Sequence, residues 1–293
     1  ELQTFAAENP NKRLVFKCLS DTRSDLSAVS VVSTKYVDAF GGFLRVQLEE
    51  ALNQVVQGTE ATWQEKWDTI TPKKTTVFYE LEGINPRNSI SNQRQAGQRP
   101  LYHTAIQFST SDTAQGSVNI GGGLSWKACG NDLVFDQPGL CWSKVHVASE
   151  EMAAVAGLTL VDEFHNAIDG ILANMASLDE RIANAMNTEI ILGKALSYLG
   201  EKARLSQTML DRVRLAYDEY ESAPSGENPS LWHVIMALTR VPNLYDSAAK
   251  ASRKDGVMSY GQLEQLRKIG GQLLFEEELP EEILVQTIPL KVK

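Results

Sequence analysis

The chain has 293 residues, 43% of them hydrophobic and 22% charged, enough apolar material for one large core or two ordinary ones, which excludes a disordered or fibrous chain. Its net charge of −9 is not localised: acidic side chains outnumber basic ones in both halves, so neither half is a basic module and a large constitutive DNA-binding face is disfavoured. No apolar run reaches the roughly 18 residues of a membrane span, and Glu1–Pro10 lacks the basic-then-apolar pattern of a secretion signal, so a soluble cytoplasmic protein with no membrane partner is expected.

In chain order, Arg13–Cys18 and Ala28–Ser33 are short β-branched runs bounded by polar turn residues and read as strands. From Gly42 to Val56 the period changes: Phe43, Leu44, Val46, Leu48, Ala51, Leu52 and Val55 recur at mostly three- and four-residue spacings, the pattern of an amphipathic helix. Thr75–Leu81 and Tyr102–Phe108 read as further strands separated by a long polar connection. Val118–Ile120 and Leu124–Ala128 read as a hairpin whose tight turn is the triplet Gly121-Gly122-Gly123.

The second half reads as helical. Ser149 is placed to cap a helix with Met152, Val155, Leu158, Phe164, Ile168, Ile171 and Met175 on its core face. Ser177-Leu178-Asp179-Glu180 and Ser259-Tyr260-Gly261-Gln262 have the spacing of capping boxes, in which a serine and an acid or amide three residues later satisfy each other's free amides. Gly200 and Ser222–Ser230 mark breaks, and Ser230 precedes the apolar helix beginning Leu231-Trp232-His233. Glu276–Lys293 is an acidic run followed by an alternating apolar stretch, an edge strand or a partner-binding arm. The expected class is α+β, an antiparallel sheet in the N-terminal half packed with a helical C-terminal half. The regions are 1–147 (β-rich with one early helix), 148–275 (helical) and 276–293 (tail).

Candidate chemistry is sparse. Cys18, Cys129 and Cys141 are an odd, scattered set that suits a reducing compartment. A zinc set can be drawn from Cys129, Cys141 and His146 with Cys18 or His103 as the fourth ligand, but eleven residues separate the two nearest cysteines, where a zinc knuckle spaces its ligands by two to four. No metal and no cofactor is expected. A thiol nucleophile at Cys129 or Cys141 needs a histidine base in reach, and nothing in the spacing supplies one. The glycine triplet lacks the following lysine of a phosphate loop. Trp63, Trp67, Trp126, Trp142, Trp232 and Tyr36 read as packing aromatics, although exposure of two together would make a stacking platform.

The strongest asymmetry lies between two strands. No acidic residue occurs from Gly83 through Ser111, a stretch that carries Arg87, Arg94 and Arg99 and several amides in an otherwise acidic chain. With Tyr102 and His103 as stacking groups, it reads as a basic hairpin loop for phosphates and bases; a solvated loop without a specific partner is the competing reading.

Three segments carry a resemblance. Ala28–Tyr36, Leu124–Leu133 with its Cys129-Gly130-Asn131, and Leu231–Arg240 are together similar to the phage/plasmid-like protein family of mobile genetic elements. Two features depart from that family's pattern: Met236 stands where it has an asparagine, and Ser109–Thr113 replaces its serine-histidine-aspartate-glycine turn. The resemblance implies a phage or mobile-element origin and a role in DNA metabolism inside the host cell, and carries over no activity. The combined expectation is a non-enzymatic protein that binds nucleic acid, single-stranded in particular, as a homo-oligomer. The alternative is a virion component or an inhibitor of a host defence protein, for which an acidic surface is suited.

Overall fold

The computed structural model describes residues 9–18, 26–33, 41–70, 74–84, 102–111, 117–126, 131–144, 158–218, 229–245, 260–276 and 279–285. It has strands in the N-terminal half, arranged as an antiparallel sheet, and helices in the C-terminal half, which is the α+β class expected. No helix among the described residues is long and apolar enough to cross a membrane. The strands are β1 (Lys12–Cys18), β2 (Leu26–Ser33), β3 (Thr62–Ile70), β4 (Thr75–Glu82), β5 (Tyr102–Thr110), β6 (Val118–Trp126), β7 (Asp132–Val134) and β8 (Cys141–Lys144). β1 and β2 form their own two-stranded sheet, while the main sheet runs β3-β4-β5-β6-β7 with β8 also paired to β6. Contacts divide the chain into two compact units, 1–84, 105–122 and 138–174 in the first and 85–104, 123–137 and 175–293 in the second.

In the first unit, helix α1 (Gly41–Val56) buries Leu44, Leu48, Ala51 and Leu52, one stripe at three- and four-residue steps, while Val46, expected on the same face, falls two residues off that stripe and is exposed. It packs along α2 (Leu158–Asn174), which buries Val161, Phe164, Ile168 and Ile171. The expected start of α2 near Ser149, with Met152 and Val155, lies outside the described residues. Strand β3 has no counterpart in the periodicity because Thr62–Ile70 mixes charges with two tryptophans. It ends the strand order of its sheet, so among the described residues one of its long edges has no partner strand and can carry charged side chains. A bulge between Glu65 and Trp67 shifts the β3–β4 register, and every β4 residue except Glu82 is buried.

The glycine triplet is a correction to the sequence reading. Gly121, Gly122 and Gly123 lie inside the single strand β6 and make no turn. Gly121 pairs with Cys141 of β8, Gly123 pairs with Val134 of β7, and between them the Gly122 N–H donates to the Leu140 carbonyl at 2.8 Å. The glycines therefore mark the point where one partner strand leaves β6 and the next begins. The excursion that joins these partners turns at Gly139, whose φ of 83° is in the left-handed region.

In the second unit, a 3-10 turn (Met175–Ser177) leads into α3 (Leu178–Asn187), followed by α4 (Leu192–Lys202), α5 (Gln207–Asp218), α6 (Leu231–Tyr245) and α7 (Tyr260–Phe275). The capping box expected at Ser177 does not form: Ser177 has φ −87° and ψ 0°, helical backbone inherited from the preceding turn, and its side chain caps nothing. A capping hydroxyl needs extended backbone to reach the third amide of the helix. Ser259 lies outside the described residues. Gly200 does not end α4 but sits two residues before its end, where a Cβ would come within 3.0 Å of Leu210. At the start of α6 the Ser230 N–H donates to His233 Nδ1 at 3.1 Å, so the histidine holds the amide that a box glutamate usually takes. None of the described residues of the tail joins the main sheet. A 3-10 turn at Glu281–Ile283 precedes a single bridge from Leu284 to Ile190, and Ile190 N–H donates on its other side to the Pro229 carbonyl. Residues 286–293 lie outside the described residues.

Candidate nucleic-acid interface

The acid-free segment joins β4 to β5, which are neighbours in the sheet. Its exit from β4 is built on Gly83, whose φ of 85° favours glycine and whose Cβ, if present, would stand 2.9 Å from the Ala61 Cα. Arg87, Arg94 and Arg99 lie outside the described residues.

The structure corrects the two aromatic members of the predicted site. Tyr102 and His103 are the first residues of β5 and are 3% and 1% exposed, interior side chains with no face open to a base. The Tyr102 hydroxyl donates to the carboxylate of Asp179, itself buried in the first turn of α3. The Tyr102 ring stacks on Trp126 at 5.7 Å, and Trp126 meets Trp232 of α6 at 5.2 Å. Nothing in the spacing of Asp179 distinguishes it from a helix-start acid facing solvent; its burial follows from where β5 passes.

Because Tyr102 and Trp126 share a sheet face, alternation puts His103 and Ser125 together on the opposite face. Ser125 is paired with Asp132 across β6 and β7. All three side chains are buried. The strand order places Ser125 between His103 and Asp132, whereas a relay that activates a serine needs the histidine in the middle. This order does not make an Asp–His–Ser relay.

Two of the three segments that carry the resemblance meet in the second unit; the first, Ala28–Tyr36, belongs to the other unit. The Asn131 Nδ2 donates to the Met236 carbonyl at 3.0 Å, joining the Leu124–Leu133 segment to the Leu231–Arg240 helix, and the Trp126–Trp232 contact joins the same two segments. Asn131 is completely buried, and its own carbonyl accepts the Trp126 N–H at 2.7 Å. These positions build a core. Cys129 and His146 lie outside the described residues, Cys141 is half-buried, and no group of three metal-ligating side chains occurs among the described residues.

Trp63 and Trp67 do not form a two-ring platform. The β3 bulge sends them to opposite faces, Trp63 edge-on to Tyr79 at 5.5 Å and Trp67 stacked on Phe78 at 5.2 Å. The cations of this region are engaged by carboxylates. Arg45 binds Glu49 at 2.8 Å, Asp68 at 3.4 Å and also Glu65, while Lys66 lies 3.5 Å from Glu80 and Lys144 2.7 Å from Glu163. Such pairs cancel locally and leave little field for a phosphate.

Glu49 also accepts the Tyr79 hydroxyl at 2.9 Å. Burial, then the Glu49 charge and its hydrogen bond, hold the Tyr79 phenol well above the usual tyrosine range. A raised folded-state value favours the protonated form in the folded protein. This stabilisation is complete below the unfolded value near pH 10.0 and is lost as pH climbs through the folded value. Glu49→Gln removes the charge and is expected to bring the Tyr79 ionisation to lower pH. An ultraviolet difference titration against Tyr79→Phe checks this, and an unmoved transition would refute it.

No protein-family model, no curated protein and no solved structure matches the chain.

Proposed function

We propose that the protein binds nucleic acid, preferentially single-stranded, without catalysing a reaction on it, and that the contact is made by the acid-free connection between β4 and β5. The supporting observation is one of charge. Three arginines and no acid lie between Gly83 and Ser111 of a chain whose net charge is −9, while Arg45, Lys66 and Lys144 elsewhere are occupied by carboxylates of the same molecule. A compact positive segment is the sequence-independent part of phosphate recognition, and single strands suit it because a flexible backbone can follow a narrow contact. The burial of Tyr102 and His103 removes them from this role, so affinity rests on the arginines. The resemblance to phage and plasmid proteins agrees with this reading and adds the host-cell cytoplasm as its setting.

The test is a mobility-shift titration of a labelled single-stranded oligonucleotide at several salt concentrations. Arg87→Ala, Arg94→Ala and Arg99→Ala combined are expected to weaken binding by roughly tenfold or more. They should also flatten the log–log salt slope by about two, since each phosphate contact on a single strand contributes about 0.7. Equal affinity and slope in the wild type and the triple variant would overturn the proposal.

A further inference from the structure

The second unit holds a cavity of about 410 Å³ that nucleic-acid binding does not use. α3 contributes Arg181 and Asn184 to its wall, Leu231 comes from the start of α6, Leu273 from the end of α7, and Leu284 from the returning tail. Its size falls in the range of small-molecule sites, and leucines make up half of its lining, beside the polar Asn184, Thr188 and Glu276 and one cationic centre.

That centre is Arg181. Its guanidinium lies over the Phe275 ring, 4.4 Å from the centroid, and forms no ion pair among the described residues. The Nε is shielded from solvent and has no hydrogen-bond partner among the described residues. A donor that water does not reach is closed to a ligand as well, so the donors left for a ligand are the Nη groups. The wall also contains a carboxylate, Glu276, but it is engaged: it accepts hydrogen bonds from Lys202 and, at 3.1 Å, from the Tyr198 hydroxyl. The site thus offers one planar cation beside an apolar hollow.

We propose that this cavity binds a medium-chain aliphatic monocarboxylate, with its carboxylate on Arg181 and its hydrocarbon chain against Leu273, Leu231 and Leu284. A guanidinium fork matches a carboxylate in two parallel hydrogen bonds. A doubly charged head group is disfavoured, because the nearby Lys202 is already held by Glu276 and, among the described residues, Arg181 is the cation in the lining. The leucines supply the burial that a charge alone does not.

Isothermal titration of the full chain with octanoate tests the site, with octan-1-ol and octylammonium as neutral and cationic probes of the same length. Saturable binding of one octanoate, at least about tenfold tighter than octan-1-ol, with no uptake of octylammonium, is expected. Arg181→Met should abolish the preference for octanoate over the alcohol, and Arg181→Lys should restore part of it. Far-UV circular dichroism confirms the fold of each variant. Failure of the wild type to distinguish octanoate from octan-1-ol overturns the proposal even if neither variant folds. So does an unchanged preference in folded Arg181→Met.

Discussion

Gly271→Ala is expected to lower the unfolding free energy by about 3 kcal/mol or more, although the same change in an open helix raises it. In mid-helix, alanine is favoured over glycine by about 1 kcal/mol because it restricts the unfolded chain and shields the backbone. At Gly271 a Cβ would stand 2.2 Å from the Val134 carbonyl oxygen and 3.0 Å from the Phe135 ring. The first obstacle is backbone, which cannot rotate away. Relief requires α7 to withdraw from β7, and that disturbs Gly270, whose Cβ position lies 3.1 Å from Thr239 and 3.2 Å from Leu133. Gly170→Ala in α2 and Gly193→Ala in α4 serve as internal comparisons, since nothing lies within 4 Å of either Cβ position. Urea unfolding should show Gly271→Ala destabilised and both comparison variants equal to or more stable than the wild type. A Gly271→Ala midpoint at or above the wild-type value would show that α7 does not approach β7 so closely.

Trp126→Ala should cost about 3–5 kcal/mol, the range for deleting a large buried aromatic. Trp126 is 7% exposed and sits between two other aromatic rings, at 5.7 Å from Tyr102 and 5.2 Å from Trp232. Its loss opens a void next to the buried Tyr102–Asp179 hydrogen bond, so the penalty includes the looser hold on a buried carboxylate as well as the lost contact area. Trp63→Ala is the contrast: Trp63 is half-buried on the outermost strand, where it donates to Asn53 at 3.0 Å and touches Tyr79 edge-on, and its removal leaves room that water can fill. Denaturant midpoints and near-ultraviolet circular dichroism should rank Trp126→Ala well below Trp63→Ala. The reverse ranking would mean that the Tyr102–Trp126–Trp232 contacts do not anchor the second unit.

The two variants also show what is legible in a one-dimensional pattern. Trp126 and Trp232 read as packing aromatics from their apolar company, and both are buried. Phe164, Ile168 and Ile171 read as the core face of one helix, and all three are buried in α2. None of that foretold Gly271, because a glycine inside a helical pattern looks the same whether it faces solvent or a carbonyl oxygen. β3 was illegible for a related reason. An edge strand carries charges along its free side, and the bulge at Glu65 and Trp67 breaks the alternation by which a strand is recognised.

The candidate interface divides along the same line. The arginines and the missing acids between Gly83 and Ser111 are facts of composition, and the proposal for nucleic acid draws on them. That Tyr102 and His103 belong to the interior, and that Arg181 borders a cavity beside an engaged Glu276, depend on residues distant along the chain.

Periodicity alone settled the α+β class, the Leu44, Leu48, Ala51 and Leu52 stripe of α1 and the core face of α2, since burying one side of an element imposes a local repeat. Folding in three dimensions settled the rest: the triplet Gly121–Gly123 became strand because β7 and β8 supply its partners, Ser177 lost its cap to the turn before it, and Asp179 was drawn inside by Tyr102. Each outcome depends on which distant backbone or hydroxyl arrives at the position, and no local repeat records that.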